Sequence, residues 1–160
     1  MTIESQIAEL DRNLDALVRS VLALEERLYL QPINDWATRD IVAHLVGWNG
    51  YVIEGSRQIL RSELPVYDVD PGNNYAKVNA ALIREYSSTS RTDLLNELRR
   101  SAATLVEFLR SVAPGYWEHD YGVRNLGSVI TVRSTVDELI ADYEHHTRQI
   151  EQFATNQASR

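Results

Sequence analysis

Apolar residues recur from the start of the chain at alternating steps of four and three: Ile3, Ile7, Leu10, Leu14, Leu17, Val21, Leu24 and Leu28. That spacing places them on one face of an α-helix, so residues 3–28 are expected to form a helix buried along one side. Glu4, Glu9, Asp11, Arg12 and Arg19 fall off the stripe, and Pro32 marks its end.

The same pattern returns three times. A second helix is expected from Thr38, read as its N-cap with Asp40 in the first turn, carrying Ile41, Leu45, Trp48, Val52 and Ile59 and stopping before Pro65. A third long helix carries Leu95, Leu98, Ala102, Leu105, Leu109 and Val112 and is closed by Pro114 and Gly115. A fourth starts near Ser134, with Asp137 three residues on, and carries Val136, Leu139, Tyr143, His146, Ile150 and Phe153. Between the second and third lies an irregular stretch, LPVYDVDPGNN, and then a shorter helix from about Asn74 to Tyr86. Residues 113–131 carry three glycines and read as a long loop, either a lid or an exposed binding segment, with a short β-hairpin around Gly122 as an alternative. Four long amphipathic helices without a clear strand predict an all-α four-helix bundle, with an extra short helix and a long loop before the last helix. It is expected as one domain over residues 1–156 with a polar tail at 157–160.

Composition narrows the function classes. A hydrophobic share of 44% with 24% charged residues is that of an ordinary globular chain. The net charge of −7, with Lys77 the only lysine, leads to the expectation of no nucleic-acid partner. The chain has no cysteine, which removes disulfides, thiolate catalysis and zinc–thiolate sites and leaves imidazole and carboxylate as metal ligands. No run reaches membrane-spanning length and the N-terminus lacks the features of a signal peptide, so no membrane partner and a cytoplasmic location are expected.

Candidate chemistry rests on helical phase. On the fourth helix His146 lies roughly 30° from the centre of the apolar stripe, Asp142 roughly 70°, and His145 roughly 130°, facing solvent or a partner. Asp142 and His146 are one turn apart and can converge. His44 sits among Ile41, Leu45 and Trp48, toward the buried side of the second helix. Two inward imidazoles and an inward carboxylate on two helices are how bundle metal sites are built, and such a set leaves positions open for water or substrate. The competing reading of each histidine alone is a hydrogen-bonded core residue. Trp48 and Tyr51 flank His44, and Tyr143 lies near His146; these are the candidate pocket residues, with ordinary core packing as their alternative. Trp117, His119 and Tyr121 crowd the long loop, as a lid or as loop packing. Asp68 and Asp70 suggest a turn before a cation site. No phosphate-binding glycine loop, nucleophile elbow or HExxH motif occurs, and no catalytic residue is assigned.

The run from Trp36 through His44 to Asn49, WATRDIVAHLVGWN, resembles the second-helix signature of the DinB-like superfamily. Asp142 through Ile150, DYEHHTRQI, resembles its fourth-helix signature, in which a ligand four residues ahead of a histidine is followed by a Gln-Ile pair. The middle of the chain is similar to the ClbS/DfsB-type branch. The resemblance implies an up-down-down-up bundle, a homodimer, and a divalent metal held by His44, Asp142 and His146. Many members carry three histidines; the carboxylate at Asp142 is similar to the mycothiol-dependent maleylpyruvate isomerase group. The resulting expectation is a metal-dependent hydrolase or thiol-dependent transferase acting on a small electrophilic substrate, with zinc or nickel and a low-molecular-weight thiol as cosubstrate. The alternatives are a metal-free bundle that binds a small molecule or a protein, and a purely structural dimer.

Overall fold

The computed structural model describes residues 2–69 and 75–159. Four long helices carry the fold: α1 (Ile3–Ala23), α3 (Thr38–Ile59), α5 (Arg91–Ser111) and α7 (Val132–Ala158). Shorter elements fill the connections: α2 (Glu26–Tyr29), a 3₁₀ turn at Val66–Asp68, α4 (Ala76–Glu85), α6 (Pro114–Trp117) and a hairpin of β1 (Arg124–Asn125) and β2 (Ser128–Val129). Around the bundle α1 packs on α5 and α7, and α3 packs on α5 and α7.

Contacts fix the directions. Gln6 near the start of α1 meets Arg133 and Asp137 near the start of α7, so these helices run parallel. Arg91 at the start of α5 reaches the end of α1, so that pair is antiparallel. Asn49 bonds Ser101, and Arg57 lies over Phe108, so α3 and α5 run in register and parallel. The bundle is therefore up-down-down-up, as expected.

The predicted stripes form the core. Ile7, Leu10, Leu17, Val21, Ile41, Leu45, Ile59, Leu95, Leu98, Leu105, Leu109, Val136 and Ile150 are all at most 2% exposed. Element boundaries differ in instructive places. The first stripe is divided, because α1 stops at Ala23 and the chain restarts as α2. Arg91 donates to the carbonyls of Val21 and Leu24, which satisfies backbone acceptors that a continuous helix would have bonded itself. Leu24 and Leu28 stay buried across the break.

The caps fall one to three residues earlier than the sequence suggests. Ala37, not Thr38, caps α3, and its N–H donates to the Asp40 carboxylate at 2.9 Å. Thr131 caps α7 and exchanges hydrogen bonds with Ser134. Asp137 is left to accept from Gln6 instead. Helix α4 starts at Ala76; the expected start at Asn74, like Asp70, lies outside the described residues. Helix α7 runs on through Ala158, so residues 157 and 158 of the expected tail are helical.

Residues 113–131 are structured. Pro114 opens α6 at its first position, where a missing N–H costs nothing. The hairpin turns on Leu126 and Gly127, both with positive φ (47° and 83°), between the facing pair Asn125 and Ser128. This is a two-residue turn of the kind whose twist matches paired strands. The hairpin falls slightly beyond Gly122. Among the described residues no helix is long and apolar enough to cross a membrane.

Candidate metal centre

Helices α3 and α7 run antiparallel, which sets an early turn of α3 against the middle of α7. His44, Asp142 and His146 meet there. Each offers one ligand atom, and these atoms lie within 4.8 Å of one another. His44 Nε2 is 2.7 Å from Asp142 Oδ2, and His146 Nε2 is 3.4 Å from Asp142 Oδ1. The two histidines are buried, at 6% and 7% exposed.

The partners of the other ring nitrogens define the chemistry. His44 Nδ1 is 3.0 Å from Asn79 Oδ1, and His146 Nδ1 is 2.9 Å from Gln149 Oε1. An amide oxygen only accepts, so these contacts are hydrogen bonds when Nδ1 of each ring carries a proton. Trp48 Nε1 also donates to Asn79 Oδ1 at 2.8 Å, which fixes that amide's orientation. In the neutral imidazoles both Nε2 atoms then carry lone pairs, and both face the oxygens of one carboxylate. Acceptors facing acceptors repel unless a proton or a cation lies between them. The donor set therefore fits a divalent ion: two neutral imidazoles, one carboxylate, and ring orientations held by outer partners.

The charge states suit that role. Burial holds the His146 imidazole below its ordinary pKa, although Asp142 pulls it up, and so favours the neutral ring. Burial pushes the Asp142 carboxyl up, but the neighbouring His44, His146 and His145, which draw on it when protonated, outweigh that and the net shift is downward, so the carboxylate form is favoured beside a cation of either kind. Trp36 covers the rings, with centroids 5.0 Å from His44 and 6.0 Å from His146.

A cavity of about 580 Å³ opens beside these three side chains. Trp48, Tyr67 and Tyr75 form one corner of its wall. Tyr67 and Tyr75 each stand edge-on to Trp48, at 5.2 and 5.3 Å between ring centroids. Tyr75 donates its hydroxyl to the buried carboxylate of Asp68 at 2.7 Å. Glu138, one turn before Asp142 on α7, also lines the cavity.

The sequence-predicted residues divide clearly. His44, Asp142, His146 and Trp48 reach the cavity, and His145 is exposed at its rim. Tyr51 packs on Trp48 and Tyr67 but opens onto a separate groove between α3, α4 and α5. Tyr143 is fully buried behind the site, with its hydroxyl against the amide of Asn49. It sits too near the centre of the α7 stripe to reach the cavity. Trp117 is buried and donates to Gln6 Oε1 at 2.7 Å under the Arg133 guanidinium, so it anchors the α6 segment and covers no site. His119 and Tyr121 pack on each other away from the cavity. Asp68 forms a 3₁₀ turn, as its surroundings suggested, yet is buried. Sequence reasoning misses Asn79, Tyr67 and Tyr75, which lie on the short α4 and its approach, and Gln149 and Trp36 stand out in the sequence only within the two longer motifs.

A family model described as the mycothiol maleylpyruvate isomerase N-terminal domain matches residues 7–151. No curated protein matches the sequence. Several solved structures share the fold. The colibactin self-resistance protein ClbS, solved in complex with double-stranded DNA, is 16% identical with a TM-score of 0.76, over 95% of this chain and 94% of that one. DfsB, described as a sibling lethal factor precursor, is 14% identical with a TM-score of 0.80, over 98% and 97%. An uncharacterised protein from Clostridium difficile 630 is 13% identical with a TM-score of 0.78, over 96% and 95%.

These structures correct one expectation. The net charge of −7 argues for no nucleic-acid partner, yet ClbS, on this fold, is solved in complex with a DNA duplex. Net charge sums the whole surface, whereas a duplex responds to the charge of the face that touches it.

Proposed function

The chain belongs to the mycothiol maleylpyruvate isomerase N-terminal domain family, and from that premise we propose that it is a metal-dependent enzyme acting on a small electrophile in the cavity beside His44, Asp142 and His146. Its bundle is the DinB-like helical fold it shares with ClbS and DfsB. One observation carries the reading: both Nδ1 atoms lie against amide oxygens and both Nε2 atoms face the same carboxylate.

A divalent ion, zinc or nickel, held by the two Nε2 atoms and an Asp142 oxygen would supply Lewis acidity toward a small oxygen or sulfur ligand. The protein's own part is positional. Asn79 and Gln149 fix the tautomers and aim the rings, and Trp36 keeps one side of the site dry. The cavity admits the substrate from the open side. Hydrolysis and thiol transfer are the two chemistries this arrangement suits. The chain has no cysteine, so a transferred thiol must arrive as a cosubstrate.

Protein purified without chelator is expected to carry about one zinc or nickel per chain by elemental analysis, as a three-ligand site of this kind retains its ion. His44→Ala and His146→Ala should each remove it. Metal-free protein that also takes up no added zinc or nickel in a calorimetric titration would sink the proposal. The duplex in the ClbS complex adds DNA to the partners to be tested, by a binding titration across a range of salt.

A further inference from the structure

The wall of the cavity is chemically one-sided. Its ionisable residues are Asp142, Glu138, the histidines and two tyrosines, with no lysine or arginine among the described residues that line it. A divalent ion on two neutral imidazoles and Asp142 would leave one positive charge at the histidine end, and no cationic side chain stands at the Glu138 end. Glu138 is exposed at the rim of the cavity and has no ion-pair partner and no hydrogen bond among the described residues. Next to it stands the aromatic corner of Trp48, Tyr67 and Tyr75, with the buried Asp68 carboxylate behind the Tyr75 hydroxyl. Faces of tyrosine and tryptophan attract cations and do nothing for anions. A hydroxyl that donates to a carboxylate leaves its ring richer in electrons.

We propose that this corner binds a positively charged nitrogen of the substrate, an ammonium or alkylated ammonium group, with Glu138 as its counter-ion. The inference rests on reading the same cavity as the reaction site. It adds a class of substrate: a small cationic molecule whose electrophilic centre faces His44, Asp142 and His146. It also adds a ruler. Glu138 and Asp142 are four residues apart on α7, so the two ends of the site are about 6 Å apart along the helix axis. A substrate must span a few bonds between its charged nitrogen and its reacting atom. At this end an anionic group would meet Glu138 with no cationic side chain beside it.

The raised carboxyl pKa of both groups agrees with this geometry. Burial pushes Asp68 up against hydrogen bonds from Tyr75 and Asn125. Glu138 is raised by desolvation first and then by the charges of Asp68 and Asp137. Each is a carboxylate lacking a cation.

The test compares choline with its neutral isostere 3,3-dimethylbutan-1-ol on the full chain, followed by tryptophan fluorescence, since Trp36 and Trp48 line the cavity. Choline should bind saturably in the millimolar range and about tenfold more tightly than the alcohol, the factor expected of one cation–π and carboxylate pair. Glu138→Gln should remove about that factor for choline and leave the alcohol unchanged. Equal binding of the two probes, no saturable choline binding, or tighter binding of a dicarboxylate probe such as malonate to chelator-treated protein would overturn the inference. A parallel zinc titration separates it from the metal reading. Zinc uptake without choline selectivity removes this inference alone, whereas choline selectivity without zinc uptake supports it and removes the metal alone.

Discussion

At the scale of single residues, Glu138 is the most consequential side chain outside the histidine site. Its folded pKa is raised above the ordinary value of 4.5 by desolvation and by the like charges of Asp68 and Asp137. The linkage then has a definite sign. The protonated form is favoured in the fold, so its contribution to stability is fully present below pH 4.5 and is lost as pH rises through the raised folded value. Glu138→Gln keeps the uncharged form at every pH. Because Glu138 is exposed and screened by solvent, the variant should melt only slightly above the wild type at neutral pH, and the difference should close as the pH falls toward 4.5; a melting difference independent of pH would refute the assignment. A group held ionised at a cost to stability is a common mark of a functional site. At this scale the sequence is half legible. Helical phase separates inward His146 and Asp142 from outward His145, and it finds His44, because each lies on a long, strongly periodic helix. It misplaces Tyr143, since a side chain at the centre of a stripe packs in the core, and cavity residues come from its edge. It has no purchase on Asn79, Tyr67 or Tyr75, whose places depend on where a short helix and an irregular approach lie against α3.

At the scale of elements, two glycines of α3 make the contrast between helix propensity and packing measurable. A Cβ at Gly55 would lie 2.5 Å from the Tyr67 hydroxyl and 2.7 Å from its Cε1, whereas a Cβ at Gly50 meets nothing within 4 Å. Gly50→Ala should stabilise the protein by about 0.5–1 kcal/mol, the gain from replacing glycine inside a helix. Gly55→Ala should cost about 1–3 kcal/mol, because it drives Tyr67 from its seat and disturbs the cavity wall. Chemical denaturation of both variants measures the pair, and equal effects would show that Tyr67 is not held against α3. Element boundaries follow the same division between local and tertiary causes. The long stripes were readable because period alone generates them. The break at Leu24 was not, since the carbonyls it frees are satisfied by Arg91, 67 positions later. The caps at Ala37 and Thr131 were displaced for a related reason: Asp40 and Ser134, read as first-turn or capping residues, bond back to the residue three before.

At the scale of the whole molecule, the candidate centre joins two of the four long helices, so occupancy should be visible in global stability. Zinc at a hundredfold excess over its dissociation constant adds about 2.7 kcal/mol to a fold that alone binds it. For a chain of this size that is about 5–10 °C in melting temperature. Chelator should reverse the gain, and His146→Ala should abolish it; a melting temperature indifferent to zinc at saturating concentration would count against any site spanning α3 and α7. The arrangement of the four helices has a further effect, on the order of assembly. Among the long helices α1 packs mainly on α7 and then on α5, and its polar ties from Gln6 to Arg133 and Asp137 span more than three quarters of the chain. During synthesis the apolar face of α1 is only partly covered once α5 is made and is completed by the final helix, while α3 and α5 can pair as soon as both are made. Closing the bundle is therefore a late, long-range step. Until it occurs, the nascent chain presents the stripe from Ile3 to Val21 to chaperones and to other unfinished copies of itself.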